Sequence, residues 1–594
     1  MTRVRRLGAL VVVLAAALVA APAAHAQQSF HQNAMIFVHG FVGSGAQFES
    51  QKMRFMSNGY PDGWIEVVDY DSTFATESRQ QVFARIDQLV AELKQRTGRP
   101  KVDVLGHSLG TSVMQDYLNS SSARAANVEH YVNIDGFEAD APPGGVATLA
   151  VWAGRGEPGR RVEGATNVTI PNQTHVQTAT SWESFVEYHK FFTGRIPAHD
   201  IVPDVGPITI AGRALLFPQN RALPLGATLE MWPVDAATGH RAGTAPTARI
   251  ALDQTGNFGP VRVEPGTRYE FALLRPGIAT LHYYYEPFVR SDHLLRLPYS
   301  DAVEAVVQRS ERHVSGLVLR YKELWGDQGP ESDVVSLNGT NVCAPAICPA
   351  EKEVNALFFY DRGMDGRTDL SAPDPAFSTL PFISGADVFL PAARPPSGTL
   401  TASLRSRGAG PERILRFPNF PSTAEGAVLQ FNDFEHPLGA TTPGATGGSG
   451  CLPRRLRVRG RGIGPARLGR RQRALAGRYR AIIRSGRFTH FCVRGGGRLI
   501  TRTRRGRIDF VATTARGHRR RGRRPGRRVR HGISGTTRIR RGLMAGRRQG
   551  RGRVVYGVRR GRIRFIAVVP FRQTAHERRL VRRLQAAGLL RVRG

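Results

Sequence analysis

The pentapeptide Gly106-His-Ser-Leu-Gly110 constrains this 594-residue chain more than any other stretch. The apolar run Val102–Leu105 before it reads as a short buried strand, and Leu109–Leu118 after it reads as a helix. A serine between two glycines at a strand-to-helix junction forms a sharp turn with a strained backbone at the serine. The glycines are needed because a Cβ at either position would collide with the neighbouring strand or helix. The hydroxyl of Ser108 is then held out at the end of a strand. It lies at a helix N-terminus, whose dipole favours developing negative charge. This arrangement implies a nucleophile, and ester or related acyl-transfer chemistry.

The surrounding pattern supports a sheet that can carry such a turn. Ala34–Val38, Trp64–Asp69, Val102–Leu105, Val128–Ile134, Ala147–Trp152 and Thr166–Ile170 read as strands. Ser78–Gln95 and Trp182–Phe192 carry apolar residues at helical spacing. Strands alternating with helices predict a mostly parallel sheet covered on both faces. The fold class is α/β, with a minimal α/β-hydrolase domain over residues 30–200 that leaves little room for a large inserted cap. From about residue 205 to 438, helical periodicity gives way to short β-rich runs between Gly and Pro turns. These predict β-sandwich or β-barrel modules over 205–300 and 301–438. The Thr-, Gly- and Ser-rich stretch 439–450 reads as a linker. Residues 451–594 read as a small arginine-rich, β-rich domain, in which Arg559-Arg-Gly-Arg562 marks a hairpin turn and Glu577–Gly588 a terminal helix.

The N-terminus is expected to be absent from the mature protein. Arg3, Arg5 and Arg6 precede an apolar run from Leu7 to Ala20, followed by small residues ending in Ala24-His25-Ala26. That is the pattern of a secretory signal peptide over residues 1–26. The run is shorter than the roughly 20 residues of a spanning helix. Export also suits the four cysteines, for which Cys343–Cys348 and Cys451–Cys492 are the natural pairs. Neither pair has the spacing or the nearby histidines of a zinc site.

Charge divides the chain sharply. Of its 84 basic residues, 46 are arginines beyond residue 450, against two of its 47 acids, Asp509 and Glu577. That region carries +44 of a total of +37, leaving −7 for everything before it. Such asymmetry points to anionic partners, such as an envelope or lipid surface. Export makes nucleic acid an unsuitable one.

A nucleophilic serine needs a base, a carboxylate to orient the base, and donors for the oxyanion. The first strand ends in Val38-His39-Gly40-Phe41, where the N–H of Phe41 can join that of Leu109 as an oxyanion donor. His175, in the loop after the last strand, is placed to be the base. His107 and His130 lie near strand ends, His189 within a helix and His199 beyond the core. The acid is Asp135, at the end of the strand after the elbow helix, or Glu157, after the next strand. Asp103, inside the elbow strand, reads as structural. This chemistry requires no metal or organic cofactor.

These residues resemble secreted α/β-hydrolase lipases with a minimal catalytic domain and a C-terminal β domain, known from a long-chain archaeal lipase and actinobacterial relatives. The resemblance is carried by four stretches: His39–Ser50, Gly106–Gly110, Thr166–His175, and Tyr321-Lys-Glu-Leu-Trp-Gly-Asp-Gln-Gly329. It spans roughly residues 30–435. It implies Ser108 as nucleophile, Asp135 rather than Glu157 as acid, His175 as base, and Phe41 and Leu109 as oxyanion donors. It also implies an acylglycerol substrate and a β region that helps to bind lipid or shape the acyl site. An esterase for polyester or cell-envelope esters is the alternative. The arginine-rich region lies outside the resemblance.

Overall fold

The computed structural model describes residues 32–434, apart from 205, 409 and 410, and most of residues 452–571 with a few positions beyond. The expected signal peptide, the linker 439–450, the Cys451–Cys492 pair and most of the expected terminal helix lie outside the described residues.

Six parallel strands form the N-terminal sheet: β1 (Ala34–Val38), β2 (Ile65–Val68), β3 (Val102–His107), β4 (Val128–Ile134), β5 (Ala147–Ala153) and β6 (Thr166–Ile170). Their order is β2-β1-β3-β4-β5-β6. The central strands are apolar throughout because helices cover both faces of the sheet. All six residues of β3 are buried, and β1 is buried at every position. The helices are α1 (Glu49–Ser57), α2 (Arg79–Thr97), α3 (Leu109–Asn119), α4 (Ser122–Ala126), α5 (His175–Thr180) and α6 (Trp182–Thr193). Helix α2 starts in a capping box between Ser78 and Gln81 and stops at Gly98, whose φ is +67°. It packs Val82, Phe83, Ile86, Val90 and Leu93 on one face of the sheet. On the other face, α1 and α6 bring Phe55, Phe185 and Tyr188 against Phe37 and Ile134.

Three short helices, α1, α4 and α5, were not expected. The residue expected in a loop, His175, is the first residue of α5.

The β region is continuous across the boundary near residue 300. One eight-stranded sheet contains Tyr269–Arg275 and Ile278–Tyr285 from before that point and Gly316–Leu324, Val354–Tyr360 and Glu425–Gln430 from after it. The strand Glu425–Gln430 is the join, pairing in parallel with Ile278–Tyr285 on one side and Gly316–Leu324 on the other. Cys343 and Cys348 are bridged, as expected.

The arginine-rich region contains an eight-stranded antiparallel sheet of its own, from Ala481–Ser485 at one edge to Thr536–Arg540 at the other. Its strands alternate between two cores. Along Arg562–Pro570, Ile566 and Val568 enter one, while Phe565, Ala567 and Val569 enter the other. Burial on both faces explains how so basic a segment folds. Among the described residues, no helix is long and apolar enough to cross a membrane.

Candidate active site

Ser108 stands between β3 and α3 at φ +54° and ψ −122°, a conformation that a residue with a side chain adopts only under strain. The packing around it forces the turn. A methyl at Gly110 would lie 2.3 Å from the Val38 carbonyl oxygen, and one at Gly106 would lie 2.6 Å from that of Gly110. Helix α3 therefore enters directly against β1, and the serine must jut out.

The loop after β1 runs against this turn. A methyl at Gly40 would sit 2.8 Å from Cβ of Ser108. Phe41, next in the chain, is 42% exposed at the mouth of the site. Leu109 is the first residue of α3, where the initial N–H groups have no partner within the helix. The loop is held by buried His39, whose Nδ1 donates to the Gly40 carbonyl at 2.8 Å and whose ring stacks on Tyr70. Asn220, from the β region, braces it further by donating to the Gly43 carbonyl at 2.8 Å.

The carboxylate of Asp135 meets His175. Just past β4, Asp135 takes φ +43° and places Oδ2 2.7 Å from His175 Nδ1. Its Oδ1 accepts from the Ala153 N–H at 2.8 Å and from Arg160 at 3.1 Å. Burial opposes ionisation of Asp135, but the hydrogen bond and charge of His175, with the Ala153 N–H and Arg160, hold its pKa below the usual carboxylate value. The reverse holds at His175. Burial disfavours its cation, yet Asp135, Glu353 and Glu323 together raise its pKa above that of free imidazole. Glu157, the alternative acid, lies exposed in the turn after β5. Asp103 is buried and accepts from His130 and Asn33, a structural role as expected.

Four residues around His175 were assigned no role in its setting from the sequence. Glu323 accepts from the N–H groups of Val176 and Gln177, both at 3.0 Å, and from the Thr174 hydroxyl. It thereby caps the helix that carries His175. Glu353 accepts from the His175 N–H at 3.3 Å. Burial, then the charge of Glu323, pushes its pKa up to about 7. His107 donates from Nε2 to the His175 carbonyl at 3.1 Å. Burial, then the charge of His175, lowers its pKa to about 3, so it stays neutral. Arg160 grips Asp135 and lies over the Trp152 ring. The sequence carried a signal for Glu323 in the Tyr321–Gly329 stretch. For Arg160 and Glu353 it carried none, because each becomes a neighbour only through the fold.

Ser108 and His175 line one cavity of about 170 Å³. Among the described residues no hydrogen bond joins them, which is common before a substrate is bound. The same cavity is also lined by apolar side chains of the β region, among them Leu281, Leu317, Phe358, Ile383 and Val428.

The parallel sheet, the strained serine and the histidine–carboxylate pair define an α/β hydrolase. Residues 32–133 match the family described as lipase (class 2), and residues 206–302 match the lipase C-terminal domain. A further C-terminal domain family matches residues 302–435. The N-terminal domain is thus that of a lipase-like carboxylic ester hydrolase. No curated protein matches the chain. Similar solved structures include a hydrolase of the α/β superfamily from Xanthomonas campestris pv. campestris, with 14% identity, covering 26% of this chain and 97% of that one, TM-score 0.20. An acetylxylan esterase has 13% identity, covering 27% and 98%, TM-score 0.20. Phospholipase PlaB from Legionella pneumophila has 10% identity, covering 45% and 95%, TM-score 0.18.

Proposed function

We propose that the protein is a secreted lipase that cleaves acylglycerols through Ser108, His175 and Asp135. The observation that carries this reading is the cavity that Ser108 and His175 share with apolar side chains of the β region. An acyl chain fits such walls, and its ester carbonyl would stop beside the serine. His175 Nδ1 is committed to Asp135, which leaves Nε2 as the basic nitrogen. Nε2 takes the proton of Ser108 as the hydroxyl attacks the ester carbonyl. The tetrahedral oxyanion is received by the N–H groups of Phe41 and Leu109. The alcohol leaves with the proton from His175, and water then releases the acid by the same route. Asp135 stays ionised and stabilises the imidazolium.

Purified Ser108→Ala compared with wild type on p-nitrophenyl esters tests the nucleophile; equal turnover removes it. A series of esters of increasing chain length, ending in emulsified triacylglycerol, tests the substrate class. Activity confined to short soluble esters would favour the esterase alternative, with polyester or cell-envelope esters as substrates. Export with cleavage after Ala26 belongs to the same reading, on the strength of the N-terminal pattern. N-terminal sequencing of the extracellular protein should begin at Gln27. The arginine-rich domain fits contact with an anionic surface.

A further inference from the structure

Three segments of the C-terminal domain meet at one end of its sheet. The strands Gly552–Arg559 and Arg562–Pro570 are joined by a turn at Arg560 and Gly561. The hairpin of Thr536–Arg540 and Leu543–Gly546 turns beside it, with Leu543 opposite Gly557 and the Val558 N–H donating to the Gly542 carbonyl at 2.7 Å. Residues 526–529 run along the first turn, where the N–H groups of Gly526 and Val529 donate to the carbonyls of Ile563 and Gly561, each at 2.7 Å.

This convergence gathers Arg527, Arg528, Arg559, Arg560 and Arg562, all exposed. Among the described residues of the domain there is one ion pair, Arg502 with Asp509. It lies toward the opposite end of the sheet, near the turn that joins Arg504 to Arg507. Arg560 has φ +49° and Gly561 φ +65°. A two-residue turn of this hand favours Asn, Asp or Gly at its first position, so arginine there is strained. Strain kept at an exposed turn points to use of the side chain rather than to a need of the fold.

We propose that this end of the C-terminal domain docks on an anionic phospholipid surface, its guanidinium groups taking the lipid phosphates. The guanidinium fork matches phosphate oxygens two at a time. Adjacent turn tips meet an extended surface more readily than a groove. Tyr556 and Phe565, the aromatic residues of these segments, are buried, so no ring is presented on which a base could stack. Residues 1–450 carry −7, so the same surface repels the part that holds Ser108. The arginine end supplies the attraction that brings ester bonds to it. The benefit to catalysis rests on the lipase reading, whereas the docking itself does not.

Full-length Ser108→Ala protein, unable to consume the membrane if Ser108 is the nucleophile, is sedimented with phosphatidylcholine vesicles with or without phosphatidylglycerol. Binding should require phosphatidylglycerol and weaken as salt rises. Replacing Arg559, Arg560 and Arg562 by Gln should weaken it about a hundredfold at low salt. Replacing Arg471, Arg504 and Arg507 at the opposite end removes the same charge and should cost less than about a tenth of that effect. Unfolding midpoints equal to the parent's show that both triple variants fold. Equal losses from the two ends, no binding to phosphatidylglycerol, or tighter binding to duplex DNA at the same salt would each overturn the proposal. Turnover of a soluble ester by the wild type reports on the lipase reading separately.

Discussion

At the scale of single residues, the site is an arrangement of carboxylates around one imidazole. Asp135 both orients His175 and raises its pKa. Asp135→Asn removes the charge that stabilises the imidazolium and disturbs the tautomer that leaves Nε2 basic. Turnover should fall by roughly 10³–10⁴-fold, with KM little changed, in steady-state kinetics on a soluble ester. Glu353 offers a finer test because it touches the backbone of His175 rather than its ring. Its charge raises the His175 pKa, so Glu353→Gln should lower it. In the proposed mechanism the base works when neutral. The acidic limb of kcat/KM should therefore move to lower pH, while the rate at high pH stays near that of wild type. A limb that does not move would mean that Glu353 only packs. Stability should respond too. The folded pKa of Glu353, about 7, exceeds its usual value of 4.5, so the fold favours the protonated form. That preference stabilises the fold at acidic pH and is lost as pH rises through 7. Thermal unfolding between pH 5 and 9 should show this loss in wild type and a smaller one in Glu353→Gln. Ser108 and His175 stood out in the sequence because motif and chain order place them relative to the strands, whereas chain order left the acid open between Asp135 and Glu157 and only the resemblance favoured Asp135. Glu353 did not stand out, since nothing local marks a residue that acts across two domains, and Arg160 did not, since it reaches Asp135 from a loop 25 residues further along the chain.

Among the elements, those driven by their own apolar pattern were legible, and those held from outside were not. Strands β4 and β6 fall where alternation and burial put them. Helix α5, His-Val-Gln-Thr-Ala-Thr, is six residues long, and its valine and two threonines are poor helix formers. It forms because Glu323, about 150 residues later, receives its first N–H groups. Helix α1 has no apolar stripe: Ser50 to Phe55 are all buried, and Lys52 and Arg54 pair with Asp62 and Asp200. The strand–turn–helix element tests the argument from packing. Gly98→Ala meets nothing within 4 Å and should cost only the penalty of a left-handed backbone, about 1 kcal/mol. Gly110→Ala must push α3 off β1, which should cost roughly 3 kcal/mol or more. Chemical denaturation compares the two. Gly98→Ala should keep full turnover, and Gly110→Ala should lose it even where it remains folded.

For the whole molecule, the β region is part of the hydrolase rather than an appendage. The β-rich pattern of residues 205–438 was legible, but the continuity of its central sheet was not. Parallel pairing of Glu425–Gln430 with strands more than 100 residues earlier leaves no local trace. Both segments that flank Ser108 are braced from this region, the loop after β1 by Asn220 and the helix that begins at His175 by Glu323 and Glu353. Buried Asp69, paired with Arg213 and Arg296, ties the sheets together. Among the described residues, the strands of the arginine-rich domain, by contrast, pair only with one another. Two truncations should therefore behave oppositely. A chain ending at Gly450 keeps both braces and the closing strand, so its soluble-ester kcat/KM and main unfolding transition should match those of the full chain. A chain ending at Ser300 loses Glu323, Glu353 and the strand that closes the central sheet. It exposes the open edge of Ile278–Tyr285, an unpaired strand rich in tyrosine that invites aggregation. It should be recovered mainly as insoluble protein, with no ester turnover from any soluble fraction. Full turnover from the shorter chain would show that the six-stranded domain holds His175 in place without help, and the bracing by the β region would have to be given up.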